Sequence, residues 1–395
     1  MRYVTEHDNV LLYPEGRIDS VNAAETEKEI FAVLEEHPDK TPLFDVSGLT
    51  YISSAGLRVL LKVKKRVAKD LTIREVSPEI FEILETTGFT ELFQVHKKMR
   101  EISLDGCDVI GRGFYGTVYR IDEDTIVKMY NTPDALKMIE NEKRMAKMAF
   151  VKGIPTAISF DIVREGDRYG SVFELLKAKT LNDLVIESPE RTEEIVKQYV
   201  AFIREVHGTQ MDEGSLPSAR ERFLSYLDEL KAFLSDEVIE KCRTLLLTIP
   251  EDLHVVHGDL QMKNVMIVDE EPMLIDMDTL CTGHPVFDLA GLYVTYKAFE
   301  EDDPENGMQF LGISNEQCSR IWDGILSLYL EGETEEEKAR IEEKIRIVAY
   351  IRFLFLLAVS DLKNGTLGET RIRNASQFLR ELAEKTDSLF FERKN

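Results

Sequence analysis

Apolar residues in the first hundred positions follow two alternating periods. The runs NVLLYPEG, TPLFDVSG and DLTIREV are short, apolar and closed by turn formers or charges, which predicts strands. Between them NAAETEKEIFAVLEEH, AGLRVLLKVKKRVAK and PEIFEILETTG repeat apolar residues every three to four positions, which predicts helices. In the second helix Leu57, Leu60, Leu61 and Val67 form one stripe while Lys62, Lys65, Arg66 and Lys69 face away. The expected result is a small α/β domain over residues 1–100, with a charged linker at 101–106. From Cys107 the pattern changes. DVIGRGFYGTVYRIDEDTIVKMYN predicts three antiparallel strands with a tight turn at DEDT, and PDALKMIENEKRMAKMAFVK predicts a helix ended by Gly153 and Pro155. Two more strands flank EGDRYG. The rest reads as helix, apart from one β-like region, VVHGDLQMKNVMIVDEEPMLIDMDT.

Composition narrows the class. The chain has 395 residues, enough for two or three domains at about 150 residues each. The longest apolar run, YIRFLFLLAVS from Tyr350, falls short of the roughly 20 residues that cross a bilayer and predicts a buried core helix. The net charge is −24; residues 1–100 hold 14 basic and 17 acidic residues, so −21 belongs to the remainder. Such a field disfavours nucleic acid and admits either a cationic partner or a merely well-solvated surface. Cys107, Cys242, Cys281 and Cys318 are far apart and form no CxxC pair, so neither a disulfide framework nor a zinc site is expected. With no export leader in the sequence, the expected setting is the cytoplasm, away from membranes.

Three stretches carry chemistry. Gly111, Gly113 and Gly116 lie between two predicted strands, as a backbone lid over phosphates does and as an ordinary glycine hairpin also does. Lys128 follows in TIVKMY, among apolar strand residues where an unused charge is costly; the phosphates of a nucleotide would use it. Its expected partner is Glu142 on the next helix, with Glu140 in reserve. Asp259 and Asn264 sit five apart on a loop, and Asp276 follows the strand PMLI. Phosphoryl transfer needs a carboxylate to take the proton of the attacking hydroxyl and oxygen ligands to hold Mg²⁺. Asp259 suits the first role, and Asn264 with Asp276 the second. Asp278 is a further candidate at the metal.

These residues bring a resemblance with them. Residues 107–395 resemble the aminoglycoside phosphotransferase and choline kinase family, the small-molecule branch of the protein-kinase-like fold. His257, Gly258, Asp259 and Asn264 match the family's HGDxxxxN, and Asp276, Gly283, Pro285 and Asp288 match its second signature. The resemblance implies an α+β bilobal domain with a β lobe at 107–178 and a helical lobe at 179–395, and it implies ATP and Mg²⁺ as cofactors. It makes Asp288 structural, gives His257 a part in shaping the loop, and starts the adenine-receiving hinge at Glu174. It also makes His207 a structural or helix-capping residue. A protein kinase would carry arginine at Gly258, lysine at Gln261 and a long activation segment ending in Ala-Pro-Glu. Here only eleven residues separate Asp276 from Asp288, so a small hydroxylated acceptor is expected, a cationic one included. The acids in SLPSARERFLSYLDELKAFLSDEVIEKCRTLLL either bind an amine or face solvent.

The first hundred residues resemble the STAS domain of anti-anti-sigma factors. The resemblance rests on Asp45, Ser47-Gly48-Leu49 and SSAGL. It implies a protein partner and makes Ser54, two before the glycine, the candidate phosphoacceptor. A phosphate there would sit at a helix N-terminus while blocking a docked partner. Both Ser53 and Ser54 are also good N-cap residues, and Ser53 stands where those factors often have aspartate. Two function classes result. One is an ATP/Mg²⁺ phosphotransferase with a STAS regulatory module. The other is a partner-switching regulator whose kinase-like part senses nucleotide or phosphorylates a STAS serine.

Overall fold

The computed structural model describes residues 1–67, 71–112, 116–132 and 135–392. Contacts divide the chain into residues 1–103 with 162–167 and residues 104–161 with 168–395. The first unit holds β1 (Arg2–Glu6), β2 (Asn9–Tyr13), β3 (Gly16–Ile18), α1 (Ala23–Glu36), β4 (Thr41–Asp45), β5 (Leu49–Ile52), α2 (Ser54–Val67), β6 (Thr72–Val76), α3 (Pro78–Thr86), α4 (Phe89–Leu92), β7 (Gln94–Lys97) and β8 (Arg100–Glu101). Five strands form one sheet in the order β1-β2-β4-β6-β7; only β1 and β2 pair antiparallel. The helical crossovers this requires bury Leu12, Phe44, Ile73, Ile30 and Val63 between sheet and helices. The sequence pattern does not single out the exposed edge strand β1 or the short parallel pair of β3 with β5.

The start of α2 has a specific construction. Ser53 accepts the Ala55 N–H on its Oγ at 3.2 Å, which makes it the N-cap, while Ser54 is exposed at the first helical position. A Cβ at Gly56 would lie 2.7 Å from the Ile52 side chain and 2.9 Å from the Ile18 carbonyl, so glycine is what lets α2 settle on β3 and β5. Alanine at Ser53 should therefore cost about 1 kcal/mol and alanine at Ser54 within about 0.5 kcal/mol, read by amide exchange in the first turn of α2. Equal costs would show that the two serines share the cap.

The second unit is bilobal. Its β lobe contains β9 (Asp108–Arg112), β10 (Gly116–Arg120), β11 (Thr125–Tyr130), α5 (Ala135–Val151) and, after β12 (Asp161–Glu165), whose residues 162–165 belong to the first unit and pair in parallel with β8, β13 (Arg168–Glu174). Strands β9, β10, β11 and β13 are antiparallel neighbours in that order. The helical lobe follows with β14 (Lys179–Thr180), α6 (Leu181–Glu187), α7 (Thr192–Gly208), α8 (Ala219–Leu230), α9 (Asp236–Leu247), β15 (Val255–Val256), β16 (Val265–Val268), β17 (Glu271–Leu274) and β18 (Cys281–Thr282). It closes with α10 (Val286–Tyr293), α11 (Asn306–Leu311), α12 (Asn315–Tyr329), α13 (Glu335–Val359) and α14 (Gly365–Lys385). The apolar run from Tyr350 lies in α13 and packs into the lobe's core with Ile345, Val348, Phe353 and Leu357, as its pattern predicts. No helix among the described residues is long and apolar enough to cross a membrane.

Candidate functional site

Strand β11 alternates, with Val127 and Met129 fully buried and Lys128 on the opposite face. Helix α5 buries Ile139, Met145 and Ala149, and the same face carries Glu142 inward; Glu140 is exposed. Both Glu142 oxygens lie 3.3 Å from Lys128 Nζ, which also pairs with Asp276. Burial works against the lysine's charge, but Glu142 and Asp276 outweigh it and hold the ammonium above the usual lysine range. Tyr130, two positions on and on the same strand face, donates its hydroxyl to Glu142.

The glycines before Lys128 differ in kind. A Cβ at Gly116 would lie 2.2 Å from the Met129 carbonyl oxygen, so close pairing of β10 with β11 requires glycine there. A Cβ at Gly111 would meet only the Val118 side chain, at 3.7 Å, an ordinary contact. Gly113 lies outside the described residues. Glu174 is the exposed last residue of β13, and Leu175 N–H then donates to the Asp124 carbonyl at 2.7 Å as the chain leaves the sheet.

The loop after β15 is fixed from below by Asp288 on α10. Its carboxylate accepts the backbone N–H groups of His257 at 2.8 Å and Gly258 at 2.7 Å, and His207 Nε2 lies 3.0 Å away. Burial alone would raise the Asp288 pKa, but the His207 hydrogen bond, the two histidines and the backbone donor bring it below the usual carboxylate range. His207 also lies 2.8 Å from the Tyr329 hydroxyl through Nδ1, so it is a buried bridge between helices. Gly258 has φ +86°, and a Cβ there would lie 2.6 Å from the Thr279 carbonyl oxygen. The arginine of a protein kinase would not fit. Two further phenols hold the loop: Tyr199 donates to the Leu260 carbonyl, and the Met262 N–H donates to Tyr296 at 3.2 Å.

Asp259 is half-buried at the top of this loop. Its Oδ2 accepts from Asn264 Nδ2 at 3.0 Å and Gln261 Nε2 at 2.9 Å, and its Oδ1 lies 3.3 Å from Arg352 Nη2. Asn264 also donates to the Asp259 carbonyl at 2.9 Å. Its amide hydrogens are thereby spent, and its Oδ1 remains as an acceptor. Asp276, in the left-handed region at φ +63°, turns the chain sharply after β17 and leaves its side chain 40% exposed. Asp278 is half-buried; burial first, and the neighbouring Asp276 second, push its pKa up to about 7. The ion pair of Asp276 with Lys128, and the Ile275 N–H donated to the Asn264 carbonyl at 3.0 Å, bring the end of β17 beside both Lys128 and the Asn264 loop.

Among the described residues no three His, Cys, Asp or Glu side chains are grouped to hold a metal ion by themselves. The oxygen set here is two carboxylates and one amide oxygen, which suits Mg²⁺ when phosphates and water complete its octahedron. Sequence patterning pointed to neither Tyr130 nor Arg352. The stretch from Asp276 to Asp288 is a single 3-10 turn, strand β18 and the entry to α10, with no room for a peptide-docking segment.

Comparison with known proteins adds the following. The phosphotransferase enzyme family model (APH) matches residues 107–319, and the STAS domain model matches residues 2–102. Over 84 residues the chain is 36% identical to BtrV of Bordetella bronchiseptica, a protein assigned as an anti-sigma factor antagonist; the match spans 20% of this chain and 72% of that one. Similar solved structures include ADP-bound aminoglycoside phosphotransferase APH(2'')-Ib, with TM-score 0.48 and 15% identity over 78% of this chain and 99% of that one. A choline/ethanolamine kinase family protein from Mesorhizobium loti gives TM-score 0.45 and 16% identity over 70% of this chain and 91% of that one.

Proposed function

Because the chain belongs to the phosphotransferase enzyme family and carries a STAS domain at its N-terminus, we propose that it transfers the γ-phosphoryl group of Mg-ATP to a hydroxyl of a small molecule in the cytoplasm. The observation that carries this reading is the gathering of Lys128, Glu142 and Asp276 beside a separately anchored Asp259–Asn264 pair. Mg-ATP would supply the phosphoryl group and the cation that neutralises it. Lys128, held by Glu142, would meet phosphate oxygens. Asn264 Oδ1 and Asp276 would hold the cation, with Asp278 a further carboxylate for it. Asp259 accepts the proton of the attacking hydroxyl, its orientation fixed by Asn264 and Gln261. Gly111 and Gly116, on β9 and β10, would flank the phosphate side of the nucleotide, and Glu174 would open the hinge toward adenine. The short path from Asp276 to Asp288 favours a small acceptor over a peptide. Lys128→Met should weaken Mg-ATP binding at least about tenfold by calorimetric titration; unchanged affinity would remove Lys128 from the nucleotide site.

A second reading is favoured by Ser54, exposed at the first position of α2 with Ser53 already capping the helix. In this reading the STAS domain binds a protein partner and a phosphate on Ser54 releases it. Full-length chain carrying Ser54→Asp should lose a partner that Ser54→Ala retains in pull-downs, and equal recovery by both would contradict it. Incubation with Mg-ATP followed by intact-mass measurement asks whether this chain modifies itself.

A further inference from the structure

The charge of the acceptor is written in what the helical lobe turns toward Asp259. The acids of α8 and α9, Glu221, Asp228, Glu229, Asp236, Glu237 and Glu240, are exposed, and Asp228 pairs with Lys231 at 2.7 Å and Glu240 with Arg243 at 3.3 Å. What α8 does send to the loop is Arg222. Its Nη1 donates to the Thr279 carbonyl at 2.5 Å and lies 3.2 Å from where a Gly258 Cβ would be. From α13 comes Arg352, donating to the Gly258 carbonyl through Nη1 and reaching Asp259 Oδ1 through Nη2. The two guanidinium groups therefore converge on Gly258, next to the candidate base.

Arg352 has a prepared path. A Cβ at Gly291 would lie 3.2 Å from its Nη1 and 3.5 Å from its Cζ, so the absence of a side chain on α10 is what leaves room for the guanidinium. The pair meets Asp259 through Arg352 and lies across Gly258 from the Asp288 carboxylate, whose oxygens are already taken by the His257 and Gly258 N–H groups and by His207. Each guanidinium has five N–H donors and uses only part of them on backbone carbonyls and Asp259. Beside the pair, the Tyr226 and Phe355 rings stack at 3.8 Å between centroids. The overall charge of −24 does not offset this, because surface acids beyond roughly 8 Å are screened at physiological salt while contacts at the base are not.

We infer that Arg222 and Arg352 form an oxyanion subsite, and that the acceptor carries a carboxylate or phosphate in addition to the hydroxyl it presents to Asp259. This rests on the phosphotransferase reading and narrows its acceptor to hydroxylated acids. Arginine forks match both oxyanions, whereas an amine placed there would face two like charges.

The test uses full-length protein saturated with Mg-ADP, so that the nucleotide site is filled, and titrates glycerol 3-phosphate and glycerate against glycerol and ethanolamine by calorimetry. The acids should bind at least about tenfold tighter than glycerol, and Arg222→Gln or Arg352→Gln should each remove about ten- to hundredfold of that, with Arg222→Lys retaining part. Acids that bind no better than glycerol, or that bind Arg222→Gln and Arg352→Gln as they bind wild type, overturn the inference. The same oxyanion chemistry could serve the transferring phosphoryl group instead. In that case the two glutamine variants would weaken Mg-ATP but not Mg-ADP and leave acid binding intact, which also overturns the acceptor assignment. Failure of the underlying reading looks different: wild type would not bind Mg-ADP, or Asp259→Ala would turn over as wild type does while acid binding persists.

Discussion

Alanine at position 259 should lower phosphoryl transfer by about 10³-fold, the middle of the range for a lost general base, while Mg-ATP affinity stays within about twofold. A thousandfold loss corresponds to about 4 kcal/mol of transition-state stabilisation. The separation of rate from binding follows from how the site is built. Asp259 stands on a loop anchored by Asp288, Tyr199 and Tyr296, none of which needs its side chain, whereas Lys128 and Glu142 come from the β lobe. Asp259→Asn supplies the control, because it keeps an oxygen for Arg352 or Asn264 while removing the base. It should be as inactive as alanine. A variant that retained turnover would move the proton acceptor elsewhere.

Asp288→Asn should be the most destabilising single change in the helical lobe, at about 3–5 kcal/mol. Asp288 is 1% exposed and faces only donors: two backbone N–H groups and the His207 ring. Asparagine turns an NH₂ toward one of them and leaves a buried donor pointing at a donor. Against a typical 5–15 kcal/mol for a domain, that leaves the lobe marginal. The chain has a single tryptophan, Trp322, fully buried in this lobe, so its fluorescence in a denaturant titration reports this unit alone. The pH dependence has a definite sign. The folded-state pKa of Asp288 lies below its ordinary value, so its contribution is complete above the unfolded-state value of about 4 and is lost as pH falls through the lower folded one. The gap between wild type and Asp288→Asn should be full at pH 7 and close below about pH 4. A gap that persisted unchanged at low pH would mean that the ionised carboxylate is not what holds the loop.

Much of this was legible in the residues, for identifiable reasons. The helix and strand periods of the first hundred residues survive because each element buries one face, and β1 was missed because it is an exposed edge strand with no apolar face to show. Lys128 is legible because a charge among apolar strand residues is costly unless it is used. Arg352, alone in AYIRFLFLLAV, carries the same signal; the run reads as core helix, which holds for Tyr350, Ile351, Phe353, Leu354 and Leu357 but not for the arginine. Tyr130 carried a weaker signal, the period of two that puts it on the face of Lys128. The acids of α8 and α9 were undecided in sequence because helix phase alone does not tell which side meets the loop. That side is Arg222's, and only packing against Thr279 and Gly258 shows it. The constraint at Gly258 also comes from tertiary contact, since the carbonyl that excludes a Cβ belongs to a residue twenty-one positions away.

The most direct test of the central claim is ³¹P NMR of Mg-ATP incubated with the full-length chain and a panel of hydroxy acids, sugar phosphates, sugars, nucleosides and amino alcohols. The account predicts a new phosphomonoester resonance growing in step with ADP, strongest among the acids, and absent with Asp259→Ala or without Mg²⁺. An ATP spectrum that stays unchanged across the panel, or one that gives only ADP and inorganic phosphate equally in wild type and Asp259→Ala, would contradict it.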